Sequence, residues 1–126
     1  DVEEINEVFS KDKSAIHNWS SNVKGDILAI PFHGRRIGII GESNNMSGYA
    51  WVSIRDKGGK VLHRQYVDFY SKAKDDSPRY VSRIYPEDDY VLEVEVSGEH
   101  PVWYDKRGNR FGSSDYFVNV SETRIE

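Results

Sequence analysis

Apolar and polar residues alternate along residues 26–56 with a period of two, which is typical of β-strands that bury one face. The stretch divides into three short runs, which predict three strands separated by turns. Gly34, Gly41 and Gly48 lie between the runs, where a reversing chain often needs a positive φ, and we expect that conformation there. The alternating apolar positions are Leu28, Ile30 and Phe32, then Ile37 and Ile39, then Ala50, Val52 and Ile54.

The same period continues toward the carboxyl terminus. Its clearest example is residues 90–97, and the Gly-Gly pair at 58–59 predicts a hairpin over residues 57–60. Seven or eight strands of this length predict an all-β fold, an antiparallel β-sandwich. The other predicted elements are a strand within residues 80–85, a final strand with Tyr116, Val118 and Val120, and polar loops over residues 71–78 and 98–115.

The first 25 residues lack this pattern. We therefore interpret residues 1–25 as a lead-in segment and residues 26–126 as a single sandwich domain. Val2, Ile5 and Phe9 lie near helical spacing, but polar residues interrupt them, so a short helix and an edge strand both stay open. Trp19 is expected either to cover one end of the sandwich or to belong to the lead-in segment.

Composition narrows the choice of function class. The chain of 126 residues has a net charge of −4, which argues against nucleic acid as a partner because phosphate binding needs a basic surface. It contains no cysteine, which excludes disulfides and thiolate sites and fits either a reducing cytosol or a bacterial envelope. No apolar stretch is long enough to span a membrane. The start at Asp1 without a signal peptide suggests a mature protein or an excised domain.

Three groups of residues give the chain a family resemblance. They are Phe32-His33-Gly34 with Ile37, Ile39 and Gly41; Gly48-Tyr49-Ala50-Trp51-Val52 with Ile54, Asp56 and Gly58; and Asp89-Tyr90 with Leu92, Val94, Val96 and Gly98.

This pattern resembles the galactose-binding-like jelly-roll modules, over roughly residues 26–120. Such modules accompany glycan-active enzymes, including SGNH-type (GDSL) esterases, deacetylases and glycosidases. The resemblance implies a jelly roll that either binds a glycan or packs as a spacer on a catalytic domain. It indicates architecture more specifically than ligand, because fold does not determine function.

Catalytic chemistry has little support in the sequence. Gly41-Glu42-Ser43-Asn44 is similar to the Gly-Asp-Ser block of SGNH esterases, but their late Asp-x-x-His block is missing. No Gly-x-Ser-x-Gly motif is present either, so Ser43 is interpreted as an ordinary turn serine. The four histidines, His17, His33, His63 and His100, show no metal-binding spacing and are interpreted as structural or surface residues.

We expect no cofactor, with a structural calcium ion as a minor alternative because carboxylates are hard oxygen ligands. Solvated turn acids are the favoured interpretation of these residues. The acidic groups concerned are Glu87 with Asp88 and Asp89, Asp75 with Asp76, and Glu3 with Glu4.

The long loop after Gly98 is the best candidate site. It combines an aromatic platform with planar polar groups, and sugars present apolar C–H faces and outward hydroxyls that match this combination. Long loops also carry function more often than the elements they connect. The competing interpretation is that Trp103 or Tyr104 plugs one end of the sandwich. The predicted ligand-binding residues are Trp103, Tyr104, Asp105, Arg107, Asn109, Arg110 and, from the third predicted strand, Trp51.

The sequence thus predicts a non-catalytic accessory module of a larger esterase or glycosidase. Its expected partner is a carbohydrate or an adjacent catalytic domain, with no nucleic acid and no membrane span. We expect it to be secreted or located in a bacterial envelope or periplasm. The alternative is a structural or protein-interaction sandwich with no glycan ligand, and a third is a free-standing hydrolase that uses Ser43.

Overall fold

Two four-stranded antiparallel sheets pack face to face in this chain, and a separate two-stranded hairpin projects from them. The computed structural model describes residues 13–126. The candidate helix around Val2, Ile5 and Phe9 lies outside the described residues. The strands are β1 (Ser14–Ser21), β2 (Ile27–Gly34), β3 (Ile37–Ile40), β4 (Tyr49–Asp56), β5 (Val61–Asp68), β6 (Pro78–Val81), β7 (Asp88–Val96), β8 (Val102–Tyr104), β9 (Arg110–Gly112) and β10 (Val118–Ile125).

The strand order is that of a jelly roll. One sheet runs β1-β10-β3-β6 and the other runs β2-β7-β4-β5. Apart from the β8–β9 hairpin, only the β4–β5 connection stays within a sheet, and every other connection crosses from one sheet to the other. This is the double-sheet arrangement of eight strands. The predicted all-β antiparallel sandwich is therefore confirmed, and eight of the ten strands within residues 13–126 belong to the sandwich.

The core lies between the inner faces of the two sheets, and the period of two explains why. Side chains on a strand point alternately to opposite faces. Every second residue therefore faces the interior, and in these strands those residues are apolar. All but one of the alternating positions in residues 26–56 are buried, and Leu28 packs against them partly exposed. The buried apolar residues are Ile30, Phe32, Ile37, Ile39, Ala50, Val52, Ile54, Val67, Phe69, Tyr80, Tyr90, Leu92, Val94, Val96, Val118 and Val120.

The expectation of positive φ at the three early glycines is wrong. None of Gly34, Gly41 and Gly48 has a positive φ. Each of them instead lies against another backbone segment. A Cβ at Gly48 would come within 2.5 Å of the Glu99 carbonyl oxygen, and one at Gly41 would collide with the carbonyl of Asn119. These glycines are therefore needed because backbones approach closely, not because the chain reverses there.

Three element boundaries differ from the sequence-based expectation. Ser14–Ser21, within the segment interpreted as a lead-in, forms edge strand β1 and pairs with β10, which places Trp19 against the core. The strand expected within residues 80–85 is β6, which ends at Val81. The Ser82 N–H still donates to the Ile37 carbonyl, but the Ile37 N–H donates to the Ser82 hydroxyl and not to a main-chain carbonyl. The expected loop over residues 98–115 contains the β8–β9 hairpin.

All four edge strands of the two sheets carry a local interruption, and β5 and β6 are bulged in their pairing with β4 and β3. β2 is an edge strand and has Pro31 in its middle, which is tolerated only at an edge because proline has no N–H. β1 is bulged between Ile16 and Trp19, and Asn18 within that bulge has a φ of 48°. No helix among residues 13–126 is long and apolar enough to cross a membrane.

Candidate functional site

Residues 102–112, here called the arm, form an antiparallel hairpin that belongs to neither sheet. Trp103 pairs with Phe111 and Tyr104 pairs with Arg110. The base of the arm is tied together by the Ser113 N–H, which donates to the Pro101 carbonyl at 2.8 Å. The arm is therefore a short ribbon with both faces outside the core.

The turn of the arm is built around Asp105. Its Oδ1 accepts from the Arg107 N–H at 2.8 Å and from the Asn109 N–H at 2.9 Å, and its Oδ2 accepts from Asn109 Nδ2 at 2.9 Å. These hydrogen bonds, led by those from Asn109, hold the pKa of the Asp105 carboxyl below its usual range. Gly108 completes the turn with a φ of 81°. Asp105 and Asn109 thus shape the turn, and their polar groups are largely engaged within it.

One face of the arm is aromatic. The Trp103 ring is 49% exposed and lies nearly parallel to the Phe111 ring, with centroids 6.1 Å apart and an interplanar angle of 16°. The edge of the Tyr70 ring, from the segment after β5, meets Trp103 at 87° with centroids 6.2 Å apart. Two neighbours therefore fix the orientation of Trp103 while about half of its surface stays open to solvent.

The other face of the arm is also apolar and exposed. Tyr104 is 63% exposed, and Val102 on the same face is 40% exposed. The expectation that Trp103 or Tyr104 might plug an end of the sandwich is wrong, because neither belongs to the buried core. An isolated two-stranded hairpin is only marginally stable in water, so apolar residues on both of its faces are unusual without a partner.

Trp51 lies in a different aromatic group, on the outer face of the second sheet. We call Tyr49, Trp51, Arg64 and Tyr66 the sheet-face cluster. The Arg64 guanidinium carbon is 4.3 Å from the Trp51 ring centroid, and the Tyr66 ring centroid is 4.5 Å from it on the neighbouring strand. No ring contact joins Trp51 to the arm among the described residues, so the predicted site is divided between two surfaces.

The Tyr66 hydroxyl of the sheet-face cluster is already hydrogen-bonded. The Tyr66 hydroxyl donates to Glu99 Oε1 at 2.8 Å and contacts Ser97 Oγ at 3.2 Å. Partial burial raises the pKa of the Tyr49 and Tyr66 phenols, and nearby carboxylates add to the effect. Arg64 already covers the Trp51 ring. The cluster therefore offers a ligand less free surface than the arm does.

Ser43 does not have the surroundings of a nucleophile. The residue is completely buried, and its hydroxyl has no hydrogen-bond partner among residues 13–126. Two histidines bond elsewhere, His17 to the Thr123 hydroxyl and His33 to the Asp89 carboxylate. The hypothesis of a hydrolase that uses Ser43 lacks both the base and the access that nucleophilic catalysis requires.

Four of the acids considered for calcium, Asp75, Glu87, Asp88 and Asp89, are engaged in local contacts. Asp75 accepts from Ser77, and Asp88 pairs with Lys57. Asp89 bonds to His33, and this contact, together with Glu87, raises the pKa of the His33 imidazole. Within residues 13–126, no group of three His, Asp or Glu residues is placed to hold a metal ion. Glu3 and Glu4 lie outside the described residues.

A surface cavity of about 530 Å³ opens at the opposite end of the sandwich from the arm. It is walled by Leu62, Tyr85 and Tyr90 and rimmed by Asp56 and Asp88. Asp56 accepts from two N–H groups of the β4–β5 turn, and Asp88 pairs with Lys57. The rim acids are thus already paired, which leaves mainly apolar walls for a ligand.

Phe111 and Tyr70 complete the arm, and sequence reasoning did not include them in the predicted site. A signal for Phe111 was present, because the turn at residues 105–109 places it opposite Trp103 once a hairpin is recognised. Tyr70 had no such signal, since its contact with Trp103 joins residues far apart in the chain. No protein-family model matches this chain, and no curated protein matches it.

Proposed function

We propose that this chain is a non-catalytic carbohydrate-binding module of a larger glycan-active enzyme, an esterase or a glycosidase, and that the arm is its binding surface. The observation that carries the proposal is the Trp103 ring, which is oriented by Phe111 and Tyr70 yet 49% exposed. A held aromatic ring stacks on the C–H face of a sugar without first losing rotamer freedom.

The polar groups of the arm have two roles in this proposal. Asp105 and Asn109 position the turn through their mutual hydrogen bonds. Arg107 and Lys106 at the tip have side chains free of ion pairs with any described residue, so they are available to sugar hydroxyls. Stacking and a few hydrogen bonds on an open surface give weak binding, with a Kd on the order of 10 µM to 1 mM.

The resemblance to galactose-binding-like modules supports the accessory role in the same proposal. Those modules share the jelly-roll connectivity that this chain has. The buried, unpartnered hydroxyl of Ser43 also favours recognition over hydrolysis. We accordingly place the module outside the cytoplasm, secreted or in a bacterial envelope, where polymeric glycans are found.

The test is affinity electrophoresis and tryptophan fluorescence with a panel of xylan, galactan, arabinan, glucomannan and pectin. We expect at least one polymer to bind the wild type. Trp103→Ala should weaken that binding by about tenfold or more, equivalent to roughly 1.4 kcal/mol, while Trp103→Phe should retain part of it.

Trp51→Ala is the matched control, because it removes the same side chain from the sheet-face cluster. Its binding should remain near that of the wild type. Loss with Trp51→Ala but not with Trp103→Ala would move the site to the sheet face. Absence of binding to every polymer would overturn the proposal.

A protein-interaction module is the second candidate, and one observation favours it. Sugar stacking needs one aromatic face, whereas Tyr104 and Val102 expose a second apolar face on the arm. A neighbouring catalytic domain that clasped the arm would cover both faces. If the arm binds a protein, no polysaccharide should alter Trp103 fluorescence. Tyr104→Ser should bind less hydrophobic dye than the wild type does, because the variant exposes less apolar surface.

A further inference from the structure

The arm carries a charge opposite to that of the chain around it. It contains Lys106, Arg107 and Arg110 against the single acid Asp105, a net charge of +2. The other described residues, 13–101 and 113–126, together carry a net charge of −2. The arm is therefore a locally positive segment, with Lys106 and Arg107 at its tip and Arg110 on the Tyr104 face, because Arg110 pairs with Tyr104.

Among residues 13–126, no carboxylate forms an ion pair with the positive charges of the arm. Lys106 and Arg107 form no ion pair with any described residue, and Arg110 Nη2 donates to the neutral carbonyl of Ser113 at 2.7 Å. The one acid, Asp105, directs its oxygens to N–H groups of the turn. On the sheet face the opposite holds for Arg55, whose Nε donates to Glu93 at 2.6 Å.

We propose that the arm recognises an anionic carbohydrate, a polymer that bears carboxylate or sulfate groups, with Trp103 stacked on a sugar ring and Lys106 and Arg107 at the tip facing the anions. This inference rests on the proposed function. Arginine suits the task because its planar guanidinium donates to carboxylate or sulfate oxygens in pairs.

The positive tip of the arm helps to orient such a ligand. The arm attracts an anionic polymer, whereas the other described residues carry a net charge of −2, so encounter is favoured at the arm. Exposed charges act within about 10 Å at 0.1 M salt, which limits this effect to low and moderate ionic strength. Binding should therefore weaken as salt is raised, unlike binding that depends on stacking alone.

The experiment uses two pairs of polymers that differ only in charge. Polygalacturonate is compared with its fully methyl-esterified form, and dextran sulfate with dextran, by tryptophan fluorescence at low and high sodium chloride. We expect the anionic member of at least one pair to bind about tenfold more tightly at low salt, with the difference reduced at high salt. The first pair reports carboxylate recognition and the second reports sulfate recognition.

The variant Lys106→Gln/Arg107→Gln removes two charges at the exposed tip. The matched control, Lys60→Gln/Arg83→Gln, removes the same two charges from exposed side chains outside the arm. We expect the first double variant to bind the anionic polymer several-fold more weakly and the second to bind it as the wild type does.

The outcomes separate the two proposals. Equal binding of charged and uncharged members, unaffected by the tip variant, would overturn the charge inference and leave the carbohydrate function intact. Binding to no polymer would overturn the proposed function itself. Attachment to vesicles containing phosphatidylserine, without attachment to any polymer, would overturn both.

Discussion

The two hairpins of this chain have nearly the same turn and opposite surroundings. Asp56-Lys57-Gly58-Gly59-Lys60 joins β4 to β5, and Asp105-Lys106-Arg107-Gly108-Asn109 joins β8 to β9. In both turns the aspartate Oδ1 accepts from the N–H groups two and four residues later, at 2.8–2.9 Å. The fourth residue is a glycine with positive φ, 88° in one and 81° in the other.

The strands beside these turns make the difference. β4 lies between β7 and β5, and its residues Ala50, Val52 and Ile54 are fully buried. β8 has only three residues, pairs with β9 alone, and is exposed along its length. The turn sequence thus determines where the chain reverses. The strands and sheet packed beside a hairpin determine how much of the hairpin's surface is buried. The second hairpin therefore leaves both of its faces exposed, whereas the first buries one face in the core.

The largest expected effect is on the buried hairpin. Ile54→Ala leaves a cavity in the core and should lower the free energy of unfolding by about 2–5 kcal/mol. Trp103→Ala removes a half-exposed ring and should cost less than half as much. Urea denaturation followed by far-ultraviolet circular dichroism measures both values. Equal losses would show that the arm belongs to the cooperative core.

The two turn glycines give a sharper test. A Cβ at Gly59 or Gly108 meets nothing within 4 Å, so alanine at either position adds only backbone strain, about 1–2 kcal/mol. Gly59→Ala should lower global stability by this amount. Gly108→Ala should instead accelerate hydrogen exchange at the Asp105 amide and leave the exchange of β4 amides unchanged. Faster exchange of β4 amides in Gly108→Ala would contradict the independence of the arm.

The smallest expected effect is the response of the arm to acid. The pKa of Asp105 is lower in the folded chain than its ordinary value of 3.8. Its contribution to the turn is therefore complete above that value and is lost as the pH falls through the folded pKa. Carboxyl NMR titration should give a midpoint below 3.8 for Asp105. Asp105→Asn should remove the acid-induced change at the amides of residues 107 and 109. A titration midpoint of the Asp105 carboxyl at or above its ordinary value would disprove the role of this carboxylate in the turn.

The sandwich was predictable because its strands are long and half-buried. Alternation over several residues specifies both the strand and its inner face, as in β4 and β7. β8 and β9 are three residues each, too short for any period to be recognised. The Gly-Gly pair predicts the hairpin at residues 57–60, while the equivalent turn at 105–109 has Arg107 in place of Gly58 and lacks that signal.

The candidate site was predictable in composition but not in arrangement. Trp103 and Tyr104 are exposed as a binding surface requires, and this follows from their place in a polar stretch. The engagement of Asp105 with Asn109 depends on turn geometry, which residue type alone does not reveal. Trp51 points away from the core as the alternation indicates, but its pairing with Arg64 needed the strand register.

The interruptions in edge strands β1 and β2 have a consequence for molecules held side by side. Modules gathered on one polymer would bring their sheet edges close together, and unbroken edges invite strand exchange between neighbours. Pro31 has no N–H for a foreign strand to bond, and the bulge at Asn18 bends the ladder of β1 out of register. Crowding on a ligand would thus leave these two edges unjoined, and each copy would keep its own eight-stranded fold.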